Sequence, residues 1–172
     1  MPGGLLDKRS ILERLHRTPP LIEGVVDLDT QLQPNGVDLT LRAVERCTSG
    51  GAFDFSNASR RPAEREPAPF DSDGAARLAP GSYVVTFNEI VHMPSDLAAL
   101  GRTRSSLLRS GVALHTGVWD AGYTGRSESL LVVYNPHGCV LQRDARILQL
   151  VFFRLEGDVT EGYRGIFHGE NL

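Results

Sequence analysis

The sequence predicts a mainly β, antiparallel domain that begins with one short helix. After Pro20, apolar runs of strand length alternate with Gly, Pro, Asn and Asp, the residues that form turns between antiparallel strands. The chain has 172 residues, 41% of them hydrophobic, which is enough for a sizeable core. We therefore expect residues 1–172 to form a single domain.

Residues 1–20 are predicted to contain the helix. Apolar residues recur at helical spacing within residues 7–17, and Asp7 is placed to cap the first turn. Two consecutive prolines, Pro19 and Pro20, end the helix because proline lacks the backbone N–H that a further turn requires.

Five strands are predicted from the apolar runs that follow. They are residues 36–43, 82–87, 112–114, 130–134 and 147–155. The first strand places Val37, Leu39 and Leu41 on one face, which is typical of a half-buried strand. The last strand is nearly all apolar, which predicts either burial on both faces or contact with a partner subunit.

Two segments depart from this pattern. Residues 50–78 are rich in Gly, Pro, Ser and charge, which predicts a long irregular excursion. Residues 156–172 form a glycine-punctuated tail that carries Tyr163, Ile166 and Phe167. Because a frayed tail would leave these side chains in solvent, we expect the tail to dock.

Composition argues against several classes of protein. A net charge of −3 gives no indication of general nucleic-acid binding. Cys47 and Cys139 form neither a disulfide framework nor a zinc motif, and the histidines lack HxH or HxxxH spacing. No window resembles a signal peptide or a membrane span, so we expect a cytoplasmic protein without a membrane partner.

Residues 102–111, RTRSSLLRSG, concentrate hydrogen-bond donors. The segment contains Arg104, Ser105, Ser106 and Arg109. Guanidinium forks make charge-assisted bonds to phosphate oxygens, so the segment predicts a polyphosphate site. A solvated basic turn would have the same composition and remains the alternative.

Residues 115–125, HTGVWDAGYTG, hold an isolated carboxylate, Asp120, among glycines. A carboxylate near a phosphate site can take a proton from water. The glycines allow a tight hairpin whose main-chain groups can approach a flat base closely. Tyr123 either packs against a sugar or is an ordinary core or interface aromatic.

Two further polar residues stand in apolar strands. Asp38 either faces solvent or helps to position Mg²⁺ through water, since hard cations prefer oxygen ligands. Gln149, if buried, must be hydrogen-bonded, either to backbone or to a phosphate oxygen.

Four segments in this order, GVDL, RSSLLRSG, GVWDAGYTG and RILQL, resemble the motifs of the dUTPase and dCTP deaminase superfamily. The resemblance covers residues 33–155. It implies a distorted jelly-roll-like β-barrel, assembled as a homotrimer with active sites between subunits. It also implies that the tail, residues 156–172, acts as a lid over a bound nucleotide.

The resemblance implies a hydrolase that converts dUTP and water to dUMP and diphosphate. Deaminases of the superfamily need a glutamate on the strand after the third motif, and here that position falls on Leu130 or Val132. Glu128 is near, but no ungapped alignment places it there. A dCTP deaminase, or a bifunctional enzyme, remains an alternative if a bulge brings Glu128 to the site. A non-catalytic, nucleotide-binding trimer is an alternative of another class.

Residue roles follow from the same resemblance. Asp120 is the implied general base, and Mg²⁺ is the implied cofactor on the triphosphate, with Asp38 holding a metal-bound water. The implied substrate contacts are Arg104, Ser105, Ser106, Arg109 and Gln149 to phosphates, Tyr123 to deoxyribose, and His115, Thr116, Gly117 and Val118 to uracil.

Overall fold

A computed structural model describes residues 4–172, which fold into mainly antiparallel β-structure as predicted. The helices are α1 (Lys8–Leu15), α2 (Leu28–Gln31) and α3 (Ser105–Arg109). The strands are β1 (Gly4–Leu5), β2 (Ile22–Glu23), β3 (Leu32–Gln33), β4 (Gly36–Cys47), β5 (Arg65–Pro67), β6 (Ala75–Leu78), β7 (Gly81–Phe87), β8 (Ile90–His92), β9 (Leu97–Thr103), β10 (Val112–His115), β11 (Val118–Trp119), β12 (Thr124–Gly125), β13 (Glu128–Val133), β14 (Cys139–Gln142) and β15 (Arg146–Arg154).

One large sheet dominates the molecule. Within residues 4–172 it contains ten strands, and its main path runs β10–β13–β7–β4–β15–β9–β11. The sheet curls, because Leu114 of β10 donates its N–H to Thr103 Oγ1 of β9 (2.8 Å), and that hydroxyl donates to the Leu114 carbonyl (3.0 Å). The two ends of the path thus approach each other and give the sheet its barrel-like shape.

The central strand β4 is less simple than its sequence predicts. Its register shifts against β7 between Leu41 and Ala43, and such irregularities increase the local twist of a sheet. The first six residues of β4 are buried on both faces, so the prediction of a single half-buried face is wrong. Asp38 and Thr40 are buried because polar partners from other elements cover them.

The predicted N-terminal helix is confirmed. The Asp7 carboxylate accepts the Ser10 N–H at 2.9 Å and caps α1, and Ile11 lies fully buried in the core. Arg14, also on α1, is buried and donates to Asp96 in the loop before β9. Among residues 4–172, no helix has the length and apolar character that a membrane crossing needs.

All five predicted strands have counterparts in the sheet, but β9 was missed. Its sequence, LAALGRT, carries alanine and glycine, which have low strand propensity. In β15, Phe152 is buried whereas Phe153 on the other face is exposed. Burial on both faces within one chain is therefore wrong for this strand, and contact with a partner subunit stays a prediction.

Residues 50–78 contain more regular structure than their composition predicts. Strand β5 pairs with the end of β4, and β6 pairs with β14. Within β6, Ala75, Ala76 and Leu78 are buried, which explains why this part of the segment is ordered as a strand. The irregular part precedes β5 and has one isolated bridge between Ala52 and Arg61.

An apolar surface crosses four strands on the outside of the large sheet. Directly opposed residues share a face of a sheet, and here the opposed pairs are apolar. We call the following set the outer apolar face: Leu5 (β1), Phe153 and Val151 (β15), Ala98 and Leu100 (β9), and Val118 (β11). Its four largest exposed members are between 37% and 56% exposed, so a substantial apolar area is uncovered in one chain.

Candidate active site

Five of the predicted site residues line one cleft of about 290 Å³, which we call the donor cleft. Its lining residues are Gln33, Asp38, Thr103, Arg104, Ser105, Ser106 and Gln149. Strands β4 and β15 carry Asp38 and Gln149 directly opposite each other, the ends of β3 and β9 add Gln33 and Thr103, and the start of α3 carries the serines. The cleft is therefore built by the ends of neighbouring strands and a following helical turn.

Asp38 forms ion pairs with two arginines, Arg104 of the donor cleft and Arg146 of β15. It is 1% exposed, and its Oδ2 lies 3.1 Å from Arg104 Nε and 3.3 Å from Arg146 Nη1. Burial raises the pKa of Asp38, and the two guanidinium groups act in the opposite direction. The prediction of a solvent-facing Asp38 is thus wrong, and Arg104 is held in place rather than free.

A buried polar cluster, which the sequence did not indicate, supports Asp38. The fully buried Glu89 accepts from Gln31 Nε2 (2.7 Å), from the Thr40 N–H (2.9 Å) and from Thr40 Oγ1 (2.6 Å). Gln31 Nε2 also donates to the Asp38 carbonyl at 2.8 Å. Burial raises the pKa of Glu89. The cluster fixes the backbone on which Asp38 stands.

Two predicted phosphate contacts have less defined surroundings. Gln149 is half-buried and lines the donor cleft, so its amide remains accessible to a ligand. Arg109 is exposed in the last turn of α3 and does not line the donor cleft. The serines and Arg104, but not Arg109, therefore face the same cavity within one chain.

The C-terminal tail docks on residues 115–125, the segment predicted as a tight hairpin. In the structure β11 pairs with β9 and β12 pairs with β8, so this segment, for which we keep the name hairpin, is a turn between two sheets. The Tyr163 N–H donates to the Ala121 carbonyl at 2.8 Å, and the Gly169 N–H donates to the Thr124 carbonyl at 2.7 Å. Between tail and hairpin lies a cleft of about 270 Å³, which we call the hairpin–tail cleft. Its lining residues are Gly117, Val118, Trp119, Tyr123, Ser127, Glu128, Tyr163, Phe167 and Glu170.

Asp120 lies in a tight turn beneath the tail. The Tyr123 N–H donates to the Asp120 carbonyl at 3.1 Å, and Gly122 has φ +83°, as the third position of a type II turn requires. Asp120 is exposed and lines a third cleft together with Gly162 and other tail residues. Within one chain it does not line the donor cleft.

Tyr123 is almost fully buried, with 6% of its surface exposed. Its hydroxyl lies 2.7 Å from Glu170 Oε1 and 3.2 Å from Ser127 Oγ, and Ser127 Oγ also accepts from Trp119 Nε1 at 2.6 Å. Burial raises the pKa of Tyr123, and burial also raises the pKa of Glu170. The Tyr123 ring also meets Tyr163 edge-on, with 5.8 Å between centroids.

The residues predicted to contact uracil divide into two groups. Gly117 and Val118 line the hairpin–tail cleft together with Tyr123. His115 is exposed, with its Nε2 3.2 Å from the Tyr134 hydroxyl, and Thr116 Oγ1 donates to the Gly101 carbonyl at 3.4 Å. These two residues do not line the cleft.

Glu128 begins β13 and lines the hairpin–tail cleft. Strand alternation places it on the same face as Leu130 and Val132, the positions that the alignments had offered for a deaminase glutamate. Its carboxylate is occupied, because Arg65 Nη1 lies 2.7 Å from Oε2 and Asn171 Nδ2 lies 3.4 Å from Oε1. The strand pairs with β7 without a bulge from Glu128 onwards.

The donor cleft suits a metal ion that arrives with a nucleotide. Among residues 4–172, no group of three or more His, Cys, Asp and Glu side chains is placed to hold a metal ion. Of the residues that line the donor cleft, Asp38 alone carries a carboxylate, and both of its ion pairs use Oδ2. A contact from Oδ1 to a water of hydrated Mg²⁺ fits this arrangement, because Mg²⁺ retains several waters.

Comparison with known proteins identifies the family. Residues 5–155 match the family model described as dCTP deaminase-like. The chain belongs to the dCTP deaminase-like family. Within it, this chain is 49% identical to a probable deoxyuridine 5′-triphosphate nucleotidohydrolase of Methanococcoides burtonii, over 98% of this chain and 99% of that protein. A protein of the same description from Methanosarcina mazei is 48% identical, over 97% of this chain and 98% of its own length.

The dCTP deaminase-like fold is also seen in a solved structure. The 2′-deoxycytidine 5′-triphosphate deaminase of Agrobacterium tumefaciens aligns with a TM-score of 0.64 and 23% identity, over 90% of this chain and 49% of that chain. This chain thus corresponds to about half of that protein. The likeness confirms the predicted fold.

Several residues of the candidate site were missed from sequence. Arg146, which pairs with Asp38, is the first residue of the fourth motif, RILQL, so its place in that motif was an available signal. Gln31, Glu89 and Arg65 lie outside the motifs, and no sequence pattern singles them out. They reach the site through contacts between elements: Arg65 from β5, Glu89 from the segment between β7 and β8, and Gln31 from α2.

Proposed function

We propose that this protein hydrolyses dUTP to dUMP and diphosphate. The observation that carries the proposal is the donor cleft, where Arg104, Ser105 and Ser106 converge beside a buried carboxylate. Charge-assisted donors in this arrangement suit a triphosphate. The names of the two relatives that align over nearly their whole length support dUTP as the substrate.

Asp120 acts as the general base in this proposal. It accepts a proton from a water molecule that attacks the α-phosphorus, and the bond to the bridging oxygen breaks so that diphosphate leaves. Asp120 and the donor cleft are separate within one chain. The cleft that contains Asp120 includes Ala98 of the outer apolar face, and the donor cleft includes Gln149, which lies two residues before Val151 of that face on β15. A homotrimer packed through this face would place Asp120 of one subunit beside the donors of the next.

The donor cleft binds the triphosphate in this scheme. Ser105, Ser106 and Gln149 donate hydrogen bonds to phosphate oxygens, and Arg104 adds a charge whose position Asp38 fixes. Arg109, exposed on α3, is assigned to phosphates of a nucleotide that spans the subunit boundary. Mg²⁺ bound to the triphosphate would neutralise charge and restrict its conformation.

The hairpin–tail cleft receives the nucleoside. Of the residues 115–118 that were predicted to read uracil, Gly117 and Val118 line this cleft, and their main-chain groups hydrogen-bond the base. An alanine-sized side chain at Gly117 would meet no atom within 4 Å, so this wall is open to a ligand. Tyr123 lies against the deoxyribose and excludes a 2′-hydroxyl by crowding. The docked tail, residues 156–172, closes over the nucleotide as a lid, which its contacts with the hairpin support.

A dCTP deaminase is the second candidate. Glu128 favours it, because this carboxylate lines the same cleft as Tyr123 and stands on the strand face that a proton-shuttling glutamate would need. Arg65 disfavours it, because a carboxylate held in an ion pair is a poor proton carrier.

Product analysis distinguishes the two candidates. The purified protein is incubated with Mg²⁺ and either dUTP or dCTP, alongside Asp120→Asn and the exposed control Asp73→Asn. We expect dUMP and diphosphate from dUTP, a loss of at least about a hundredfold in turnover for Asp120→Asn, and no loss for the control. Ammonia released from dCTP would support the deaminase instead, and turnover of neither nucleotide would contradict both.

A further inference from the structure

We infer that Arg65 is a specificity-determining residue, which masks the negative charge of Glu128 and thereby removes a bias of the hairpin–tail cleft towards cytosine, so that the cleft accepts uracil. This inference rests on the proposed function, because it assumes that the cleft receives a pyrimidine. It also assigns a role to the excursion, residues 50–78, because β5 within this segment carries Arg65 to the cleft.

Glu128 would favour cytosine if its carboxylate were free. An ionised carboxylate only accepts hydrogen bonds. Cytosine presents an amino group at C4, which donates, whereas uracil presents a carbonyl oxygen there, which accepts. A bare carboxylate on the wall of the cleft would therefore attract cytosine and repel uracil.

Arg65 removes this bias by occupying the carboxylate. Its Nη1 lies 2.7 Å from Glu128 Oε2 and 3.2 Å from Glu45 Oε2. The remaining Glu128 oxygen, Oε1, accepts from Asn171 Nδ2 of the tail at 3.4 Å. Both oxygens of Glu128 are thus engaged, and the guanidinium offsets the charge of this carboxylate, although Arg65 is shared with Glu45. The other carboxylate that lines the cleft, Glu170, accepts from the Tyr123 hydroxyl.

The position of Arg65 is fixed by the sheet. Arg65 lies directly opposite Cys47 in the β4–β5 pair, and its side chain is 32% exposed. The excursion is also held to the tail, because the guanidinium of Arg60 lies 6.0 Å from the centroid of the Phe167 ring. The excursion therefore lies against two parts of the same cleft, its strand wall and its tail.

The test measures base selectivity rather than activity alone. Equilibrium dissociation constants are determined for non-hydrolysable α,β-imido analogues of dUTP and dCTP with the full-length protein, Arg65→Gln, Arg65→Lys, Glu128→Gln and the double variant Arg65→Gln/Glu128→Gln. We expect Arg65→Gln to shift the ratio of the two constants about tenfold towards the cytosine analogue. Arg65→Lys keeps the charge and is expected to keep the ratio.

The double variant and a remote control decide the interpretation. If the freed carboxylate causes the shift, Glu128→Gln in the Arg65→Gln background restores the ratio. Arg77→Gln removes an ion pair with Asp71 that is away from the cleft and is expected to leave the ratio unchanged. An unchanged ratio in Arg65→Gln, or a shift that the double variant retains, would overturn the role of Arg65. Failure of the unaltered protein to bind either analogue would instead overturn the proposed function.

Discussion

Glu89 is a buried carboxylate whose contacts are all donors. Gln31 Nε2 and Thr40 Oγ1 donate to Oε1, and the Thr40 N–H donates to Oε2. Gln31 cannot reverse its amide freely, because its own Oε1 accepts the Asp27 N–H at 2.9 Å. The environment of Glu89 therefore requires an acceptor at both oxygens, which an amide cannot supply.

Glu89→Gln is expected to destabilise the protein by about 2 kcal/mol, because the new amide nitrogen would face a donor in the buried cluster. Chemical denaturation measures the free energy of unfolding. Glu156→Gln, at an exposed position, is the matched control and is expected to have little effect. Equal stabilities for the two variants would contradict the hydrogen-bonding scheme.

At the scale of elements, the tail and the hairpin come close together where the backbones of two glycines, Gly122 and Gly162, face each other. A Cβ at Gly122 would lie 2.8 Å from the Cα of Gly162, and Gly122 also has φ +83°. The close approach allows the Tyr163 N–H to reach the Ala121 carbonyl. Glycine is thus required at position 122 both by the turn and by the tail that passes over it.

Gly122→Ala is expected to loosen the tail, because it adds a clash with the tail to about 1–2 kcal/mol of backbone strain. Hydrogen–deuterium exchange should show faster exchange at the amides of Tyr163 and Gly169. Gly117→Ala, in the same hairpin, meets no atom within 4 Å and should leave this protection unchanged. Unaltered protection in Gly122→Ala would mean that the tail docks by other contacts.

A second connection between elements ties α1 to the sheet. Asp96 accepts from Arg14 through both oxygens, with Arg14 Nη1 2.7 Å from Oδ1, and Arg154 Nη1 of β15 lies 3.5 Å from Oδ2. The hydrogen bonds from Arg14 lower the pKa of Asp96 below 3.8. Since the folded-state pKa is lowered, this carboxylate stabilises the fold above the unfolded pKa, and the contribution is lost as pH falls through the folded value.

Asp96→Asn is expected to lower stability by about 2 kcal/mol at pH 7, because it removes a charge-assisted pair with the buried Arg14. The difference from the unaltered protein should shrink as the pH is lowered from 5 towards about 2. Thermal unfolding across this range measures it. Asp73→Asn, at an exposed position, should show no such convergence. A difference that is independent of pH would contradict an ionised Asp96.

At the scale of the whole molecule, the outer apolar face is an apolar surface that a single chain leaves uncovered. Phe153 and Leu100, both on this face, are 37% and 42% exposed. The donor cleft and Asp120 border it from different sides. Assembly through this face would both bury apolar area and complete the proposed active site.

Phe153→Glu is expected to dissociate the proposed homotrimer, because it places a charge in the apolar contact. Sedimentation velocity measures the mass, and dUTP turnover should fall with it since the site is shared. Val140→Glu changes an even more exposed apolar residue on β14, outside the large sheet, and should leave the mass unchanged. A trimer that survives Phe153→Glu would place the subunit contact elsewhere.

The sequence predicted the fold class, the α1 cap at Asp7 and five strands of the large sheet, because turn residues and apolar periodicity are local signals. It missed β9, whose alanines and glycine give no local signal, although β9 lies at the centre of the outer apolar face. It left open whether Asp38 faces solvent or helps to position Mg²⁺, since periodicity cannot show which residues another element will cover.

The motifs by themselves determined the family and the set of candidate phosphate, base and carboxylate residues, because these are properties of residue type and order. The tertiary structure decided how they are grouped. It brought Arg104, the serines and Gln149 into one cleft and left Asp120 in another. It also delivered Arg65 to Glu128 across 63 positions of sequence. Such groupings depend on long-range strand pairing, which no local pattern of residues specifies.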